Sequence, residues 1–226
     1  GELMRLGHGV DQPPIHRALA AHAFDAGAED VGQVMAHAAL VGHAGQAAGA
    51  RQHALRHRRL RNGMLAIFCY VGAEVSIGSL LVSVMEVTAG LDHATGAKFL
   101  ALYWGGAMVG RFLGSAVMNK IAPHKYLAFN ALMAVALITI AILANGGAVS
   151  MWALIAIGFF NSIMFPTIFS LATKGLGKFT GIASGVICTA IVGGAIVPVV
   201  QGFFADHIGL LLSFVVSAVC YLYILF

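Results

Sequence analysis

The chain has 226 residues, of which 59% are hydrophobic and only 10% charged, and its mean hydropathy is +0.87. A soluble domain has about a quarter of its residues charged, so this composition excludes a water-soluble globule and places the chain among membrane proteins. The net charge is +4, but the basic residues stand in short clusters between apolar runs, as in membrane-protein loops and unlike a nucleic-acid-binding face.

Residues 1–61 differ from the rest. They hold seven of the ten histidines (His8, His16, His22, His37, His43, His53 and His57) among much Ala, Gly and Arg. No window there reaches the roughly 18 apolar residues of a spanning helix. Pro13 and Pro14 interrupt any signal-peptide core, and the histidine spacings match no metal-ligand pattern. The segment is expected to be poorly ordered and outside the membrane.

From Gly63 onward, six apolar runs of spanning length alternate with polar breaks. They cover about Gly63 to Met85, Phe99 to Met118, Leu127 to Leu143, Met151 to Ala172, Ile182 to Phe204, and Leu210 to Phe226. Lipid offers no hydrogen-bond partners to a backbone, and barrel strands would be shorter and alternating, so the runs predict helices. The expected fold class is an all-α membrane protein with six transmembrane helices. Arg56, Arg58, Arg59 and Arg61 precede the first run, Lys120 and Lys125 follow the second, and Lys174 and Lys178 follow the fourth. The opposite loops carry Lys98, Glu86, Asp92 and Asp206. The positive-inside rule therefore predicts that both ends of the bundle are cytoplasmic. Cys69, Cys188 and Cys220 all fall within apolar runs, which suits free thiols and no disulfide framework.

Few residues within the runs carry chemistry. Glu74 is the one carboxylate deep within a span, and a mid-membrane acid costs about 3 kcal/mol on insertion scales, so it is expected to face a cavity or a partner. Tyr70 and Gly78 lie one turn away on its face. In the fourth run, Asn161, Ser162, Pro166 and Thr167 interrupt the apolar pattern. Proline kinks a helix and frees carbonyls, and an amide such as Asn161 or Gln201 supplies the donor and acceptor that sugar hydroxyls need. Gly106, Gly110 and Gly114 recur every four residues, a pattern for close helix packing. Arg111, among them, is expected to reach the interface or to pair with an acid. Tyr103 and Trp104 are expected to be interfacial anchors, with Trp104 also a candidate platform for a sugar ring.

Four stretches carry a resemblance: YVGAEVSIGS (Tyr70–Ser79), YWGGAMVGRFLGS (Tyr103–Ser115), GFFNSIMFPTIFSLA (Gly158–Ala172) and AIVGGAIVPVVQG (Ala190–Gly202). In this order they resemble the fucose–proton symporter family of the major facilitator superfamily, which includes bacterial glucose/galactose transporters. APHK at Ala122–Lys125 resembles it too. The resemblance runs from about Asn62 to the end. It implies that the six spans are helices seven to twelve of a twelve-helix transporter, a C-terminal half-bundle in a bacterial inner membrane. It also implies that Gly110, Arg111 and Gly114 belong to a cytoplasmic gate element with Lys120. The family's first six helices have no counterpart here. Its proton-coupling carboxylates lie in that half, so no residue of this chain inherits them. KFTGIASG at Lys178–Gly185 departs from the family pattern.

The functional expectation is hexose transport, with sugar and protons as partners of the complete transporter and either an N-terminal half or a second copy opposite this bundle. The alternative is a remnant without transport activity. An enzyme is disfavoured, because no second intramembrane acid, HExxH or nucleophile–base pair accompanies Glu74. No metal or cofactor is implied. Candidate substrate contacts are Glu74, Tyr70, Asn161, Ser162, Gln201 and Trp104; candidate packing or gate residues are Gly106, Gly110, Arg111, Gly114 and Pro166.

Overall fold

The computed structural model describes residues 55–226; the histidine-rich segment lies outside the described residues up to position 54. Every regular element among the described residues is helical. The first, α1 (Arg58–Ala89), runs for 32 residues without proline. It stops at Gly90, whose positive φ of 63° lets its N–H turn back to the Met85 carbonyl, a conformation that glycine adopts without strain. The second, α2 (His93–Met118), starts at Asp92, whose carboxylate accepts the Thr95 N–H at 3.1 Å. That bond to an N-cap carboxylate satisfies a backbone donor orphaned at the helix start. Asp92 is outside the spans and solvent-exposed, and the Thr95 hydrogen bonds hold its carboxyl below its ordinary range. Across the same connection Glu86 and His93 approach to 2.6 Å, an exposed pair worth little. The third helix, α3 (Pro123–Leu143), begins on a proline in its first turn, where the missing N–H costs nothing.

The fourth span is broken. It consists of α4 (Gly147–Asn161) and α5 (Met164–Thr173), separated by a turn at Ser162 and Ile163. The fifth begins with a 3₁₀ turn at Gly177–Phe179 and continues as α6 (Thr180–Thr189). A second 3₁₀ turn at Ala190–Val192 then leads into α7 (Gly193–Ile208). After a short turn, α8 (Val215–Leu225) forms the sixth. Four of these rods are long and apolar enough to cross a membrane by length and composition: Arg58–Ala89, Pro123–Leu143, Gly147–Thr173 and Gly177–Ile208. Helix α2 has the length, with 26 residues, but Lys98 and Arg111 dilute its hydropathy. The last rod, Leu212–Leu225, is apolar and shorter.

The central mast is α1, which packs against α7, α8, α5, α2 and α4, while α3 lies across α4 and α8. Close approach depends on small residues: a Cβ on Gly193 would strike the Phe68 carbonyl, and one on Gly158 the Tyr103 carbonyl. The outer surface is apolar, with Val87, Phe112, Leu143 and Val149 all at least 60% exposed. Water would make such a surface aggregate; a bilayer makes it the preferred exterior.

Candidate functional site

Mid-way along the bundle, α1, α2, α4 and α8 bring five polar side chains together. Tyr70 and Glu74 sit one turn apart on α1 because residues i and i+4 share a helix face. The Tyr70 hydroxyl lies 2.7 Å from Glu74 Oε1 and 2.9 Å from the Asn161 carbonyl oxygen at the end of α4. The Asn161 amide is occupied at both ends. Its Nδ2 donates to the Tyr103 hydroxyl at 3.0 Å, and its Oδ1 accepts from the Tyr221 hydroxyl at 2.8 Å. The Tyr103 hydroxyl in turn donates to the Glu74 carbonyl at 3.2 Å. The three tyrosines and Asn161 are buried, whereas Glu74 is half-buried.

Counting protons sharpens this. The Tyr70 hydroxyl has one hydrogen and faces two acceptors. With Glu74 ionised, only one acceptor is served. With Glu74 protonated, its own O–H donates to Tyr70 and the Tyr70 hydrogen goes to the Asn161 carbonyl, so both contacts of the Tyr70 hydroxyl are served. An ionised Glu74 therefore seeks a second donor, and the open side of the half-buried carboxylate is where one would arrive. Next to it, an added Cβ on Gly78 would lie 3.3 Å from the Trp104 ring. That ring is 46% exposed and stands edge-on to Tyr103. The carboxylate offers acceptors to hydroxyls, and the Trp104 plane, one helical turn away across Gly78, offers a face to C–H groups.

The break between α4 and α5 follows from Pro166. Proline has no N–H, so the Ser162 carbonyl, four residues earlier, loses its helical donor. Arg111 supplies one, its Nε reaching that oxygen at 3.2 Å. At the next position, the Thr167 N–H and Oγ1 both reach the Ile163 carbonyl, at 3.2 and 2.7 Å. Arg111 thus neither pairs with an acid nor only reaches for the interface; it caps a carbonyl that proline has freed.

The glycine repeat of α2 lies against this break. Gly106 faces the backbone of Phe159, Gly110 the Phe159 carbonyl and the Ser162 hydroxyl, and Gly114 the side chains of Tyr126 and Ile163. Gln201 stands apart from the cluster, buried, with Oε1 accepting from Ser217 at 2.6 Å and Nε2 without a partner. Ser162 is buried and Pro166 is exposed. The structure thus brings together Glu74, Tyr70, Asn161 and Trp104, and leaves Gln201 elsewhere. The expectation that Tyr103 anchors at the interface is corrected: it is 0% exposed. Tyr221, which the sequence reading did not single out, joins the cluster from α8.

The arrangement has known relatives. The Major Facilitator Superfamily model matches residues 10–191. The chain belongs to the Major Facilitator Superfamily. The matched range begins within the N-terminal segment. A Helicobacter pylori protein named for glucose/galactose transport is 57% identical over 175 residues, covering 75% of this chain and 43% of that protein. The glucose/galactose transporter of Brucella abortus is 54% identical, covering 76% and 42%. The L-fucose-proton symporter of Escherichia coli is 43% identical, covering 68% and 35%. Among solved structures, the superfamily transporter FucP in the outward conformation superposes with a TM-score of 0.76 at 36% identity, over 81% of this chain and 45% of that one. The chain therefore spans less than half the length of the relatives it matches. It is an integral membrane protein, its described residues have the six-helix, all-α architecture that the sequence predicts, and its relatives are transporters.

Proposed function

We propose that residues 62–226 form the C-terminal half-bundle of a hexose–proton symporter in a bacterial inner membrane, with the basic end of the bundle cytoplasmic. The carrying observation is Glu74: a half-buried carboxylate within a span, hydrogen-bonded by Tyr70, with Trp104 packed against Gly78 one helical turn away. In superfamily transporters substrate sits at the midplane between two pseudo-symmetric halves that rock against each other. Glu74 then accepts hydrogen bonds from sugar hydroxyls and Trp104 covers the ring. Asn161, with its amide engaged by Tyr103 and Tyr221, positions Tyr70 rather than touching sugar. The relatives' names support glucose or galactose as the substrate class, and the opposing six helices supply the remaining contacts and the proton-coupling acids.

The test joins residues 62–226 to the N-terminal half of a glucose/galactose transporter and measures sugar affinity with and without Glu74→Gln. A glutamine can still donate to Tyr70, so the fold survives. The lost charged hydrogen bond is worth about 1.5–3 kcal/mol, or roughly ten- to hundredfold in affinity. Unchanged affinity would demote Glu74 to a packing residue. No sugar binding by the joined protein, despite correct insertion, would favour the remnant without transport activity.

A further inference from the structure

The turn between α3 and α4 holds a chemically reactive position that has no part in the sugar site. The chain has five asparagines, and two of them, Asn62 and Asn145, are followed by glycine. Asn-Gly is the dipeptide most prone to spontaneous deamidation, because a residue without a Cβ leaves its backbone nitrogen free to approach the preceding side-chain amide. By sequence the two positions are equivalent. By structure they are not.

Asn62 and Gly63 lie inside α1. There the Gly63 N–H is committed to the carbonyl four residues earlier, and Gly63 is clamped, since a Cβ on it would overlap the Cβ of Ala172 on α5. Asn145 stands outside any helix, between the end of α3 at Leu143 and the start of α4 at Gly147. Its side chain is exposed. Among the described residues it is the one non-glycine with a positive φ, 51°, a conformation that asparagine tolerates better than most side chains. Gly146 and Gly147 follow with φ of 106° and 73°, so no Cβ hinders the turn from reshaping around Asn145.

The nitrogen that would attack is nevertheless held. The Gly146 N–H donates to Ser150 Oγ at 2.9 Å, and the Ser150 hydroxyl in turn donates to the Ala141 carbonyl at 2.6 Å, with the Gly146 carbonyl a more distant acceptor at 3.2 Å. Ser150 is fully buried, so its oxygen is a fixed anchor. Base reaches the Gly146 proton only when that bond opens, and the nitrogen cannot swing toward the Asn145 side chain while it is held.

We propose that Asn145 deamidates spontaneously in the folded protein and that the Ser150 hydroxyl restrains the reaction. Hydroxide removes the Gly146 N–H proton, and the nitrogen attacks Asn145 Cγ. The new N–Cγ bond replaces the Cγ–Nδ2 bond, and the departing nitrogen takes a proton from water and leaves as ammonia. Water then opens the cyclic imide at either carbonyl, giving aspartate or isoaspartate at position 145 with no change of oxidation state. Both products place a negative charge just before α4, where the positive end of the helix dipole favours it. The proposal is independent of the sugar reading, because neither Asn145 nor Ser150 belongs to the Glu74 cluster.

The test incubates the 226-residue chain in detergent at mildly alkaline pH and follows each asparagine by peptide mass spectrometry and isoaspartyl methyltransferase labelling. Isoaspartate should accumulate at position 145 and not at position 62 in the folded chain, whereas in denaturant both sites should react at similar rates. Ser150→Ala removes the anchor and should speed the folded-state reaction at position 145 about fivefold, the worth of one hydrogen bond. Ser150→Thr keeps a hydroxyl and should stay near the native rate. Equal folded-state rates at the two positions, or no reaction at position 145, would overturn the site. A native rate in Ser150→Ala would overturn the restraint. Should that variant fail to fold, the native chain alone decides: position 145 should react faster in denaturant than in the fold, and equal rates would mean that Ser150 restrains nothing.

Discussion

Removing Arg111 should destabilise the bundle through one backbone oxygen, and restoring an N–H at position 166 should cancel that effect. In the native chain Pro166 denies the Ser162 carbonyl its helical donor and Arg111 Nε replaces it at 3.2 Å. Arg111→Met keeps much of the aliphatic stem but leaves that oxygen, in a buried residue, without the charged donor. An unsatisfied buried acceptor costs about 1–3 kcal/mol, and the exposure of Arg111 places the expectation in the lower half of that range. For a protein of this size about 1 kcal/mol shifts the unfolding midpoint by roughly 2–4 °C. In a Pro166→Ala background the residue-166 N–H becomes available to the same carbonyl, so Arg111→Met should cost markedly less there. The assay is thermal unfolding in a mild detergent of the native chain, both single variants and the double variant, analysed as a double-mutant cycle. Equal costs in the two backgrounds would refute the capping role of Arg111.

Three further outcomes follow from the packing, the cap and the charges. Gly158→Ala forces a methyl into the Tyr103 carbonyl, so α4 must shift from α2 at a cost of about 1–3 kcal/mol; an unaltered unfolding midpoint would mean the contact is looser than described. Asp92 has a carboxyl pKa below its ordinary value because of its Thr95 hydrogen bonds, so its contribution to stability is complete above the usual carboxylate range and is lost as pH falls through and beneath it. The Thr95 amide should therefore lose protection, relative to its intrinsic exchange rate, as pH falls, and Asp92→Ala should show that loss already at neutral pH; no change at neutral pH would remove the cap. An impermeant amine reagent applied to intact cells should label Lys98 and not Lys174, and external labelling of Lys174 would invert the proposed orientation.

The spans were legible because a bilayer imposes one requirement on all of them, a long apolar run with its backbone bonded internally. The pairing of Tyr70 with Glu74 was legible for a local reason, since four residues along a helix return to the same face. The interruption of the fourth span was visible in its residues, but its position follows from where proline acts. The turn falls at Ser162 and Ile163, upstream of Pro166, because the freed carbonyl lies four residues earlier. Tyr103 was misplaced because a tyrosine near a span end resembles an anchor. The corrective signal was its spacing, seven residues after Gly96 and four before Ala107, which puts it on the buried stripe of α2. Tyr221 carried no such signal. It meets Asn161 across 60 residues of chain, and only the packing of α8 against α1 and α3 brings it there. The donor for the Ser162 carbonyl was hidden for the same reason: Arg111 and Ser162 are 51 residues apart, and a lone arginine in a span points first to an acid.

The central claim, that this bundle is one half of a sugar symporter, is tested most directly by uptake of labelled glucose or galactose into proteoliposomes under an imposed proton gradient. The 226-residue chain by itself should not raise internal sugar above the equilibrium level. The same chain reconstituted with the N-terminal half of a glucose/galactose transporter should do so, and a protonophore should abolish it. Accumulation by the chain alone, lost on adding protonophore, would contradict the account.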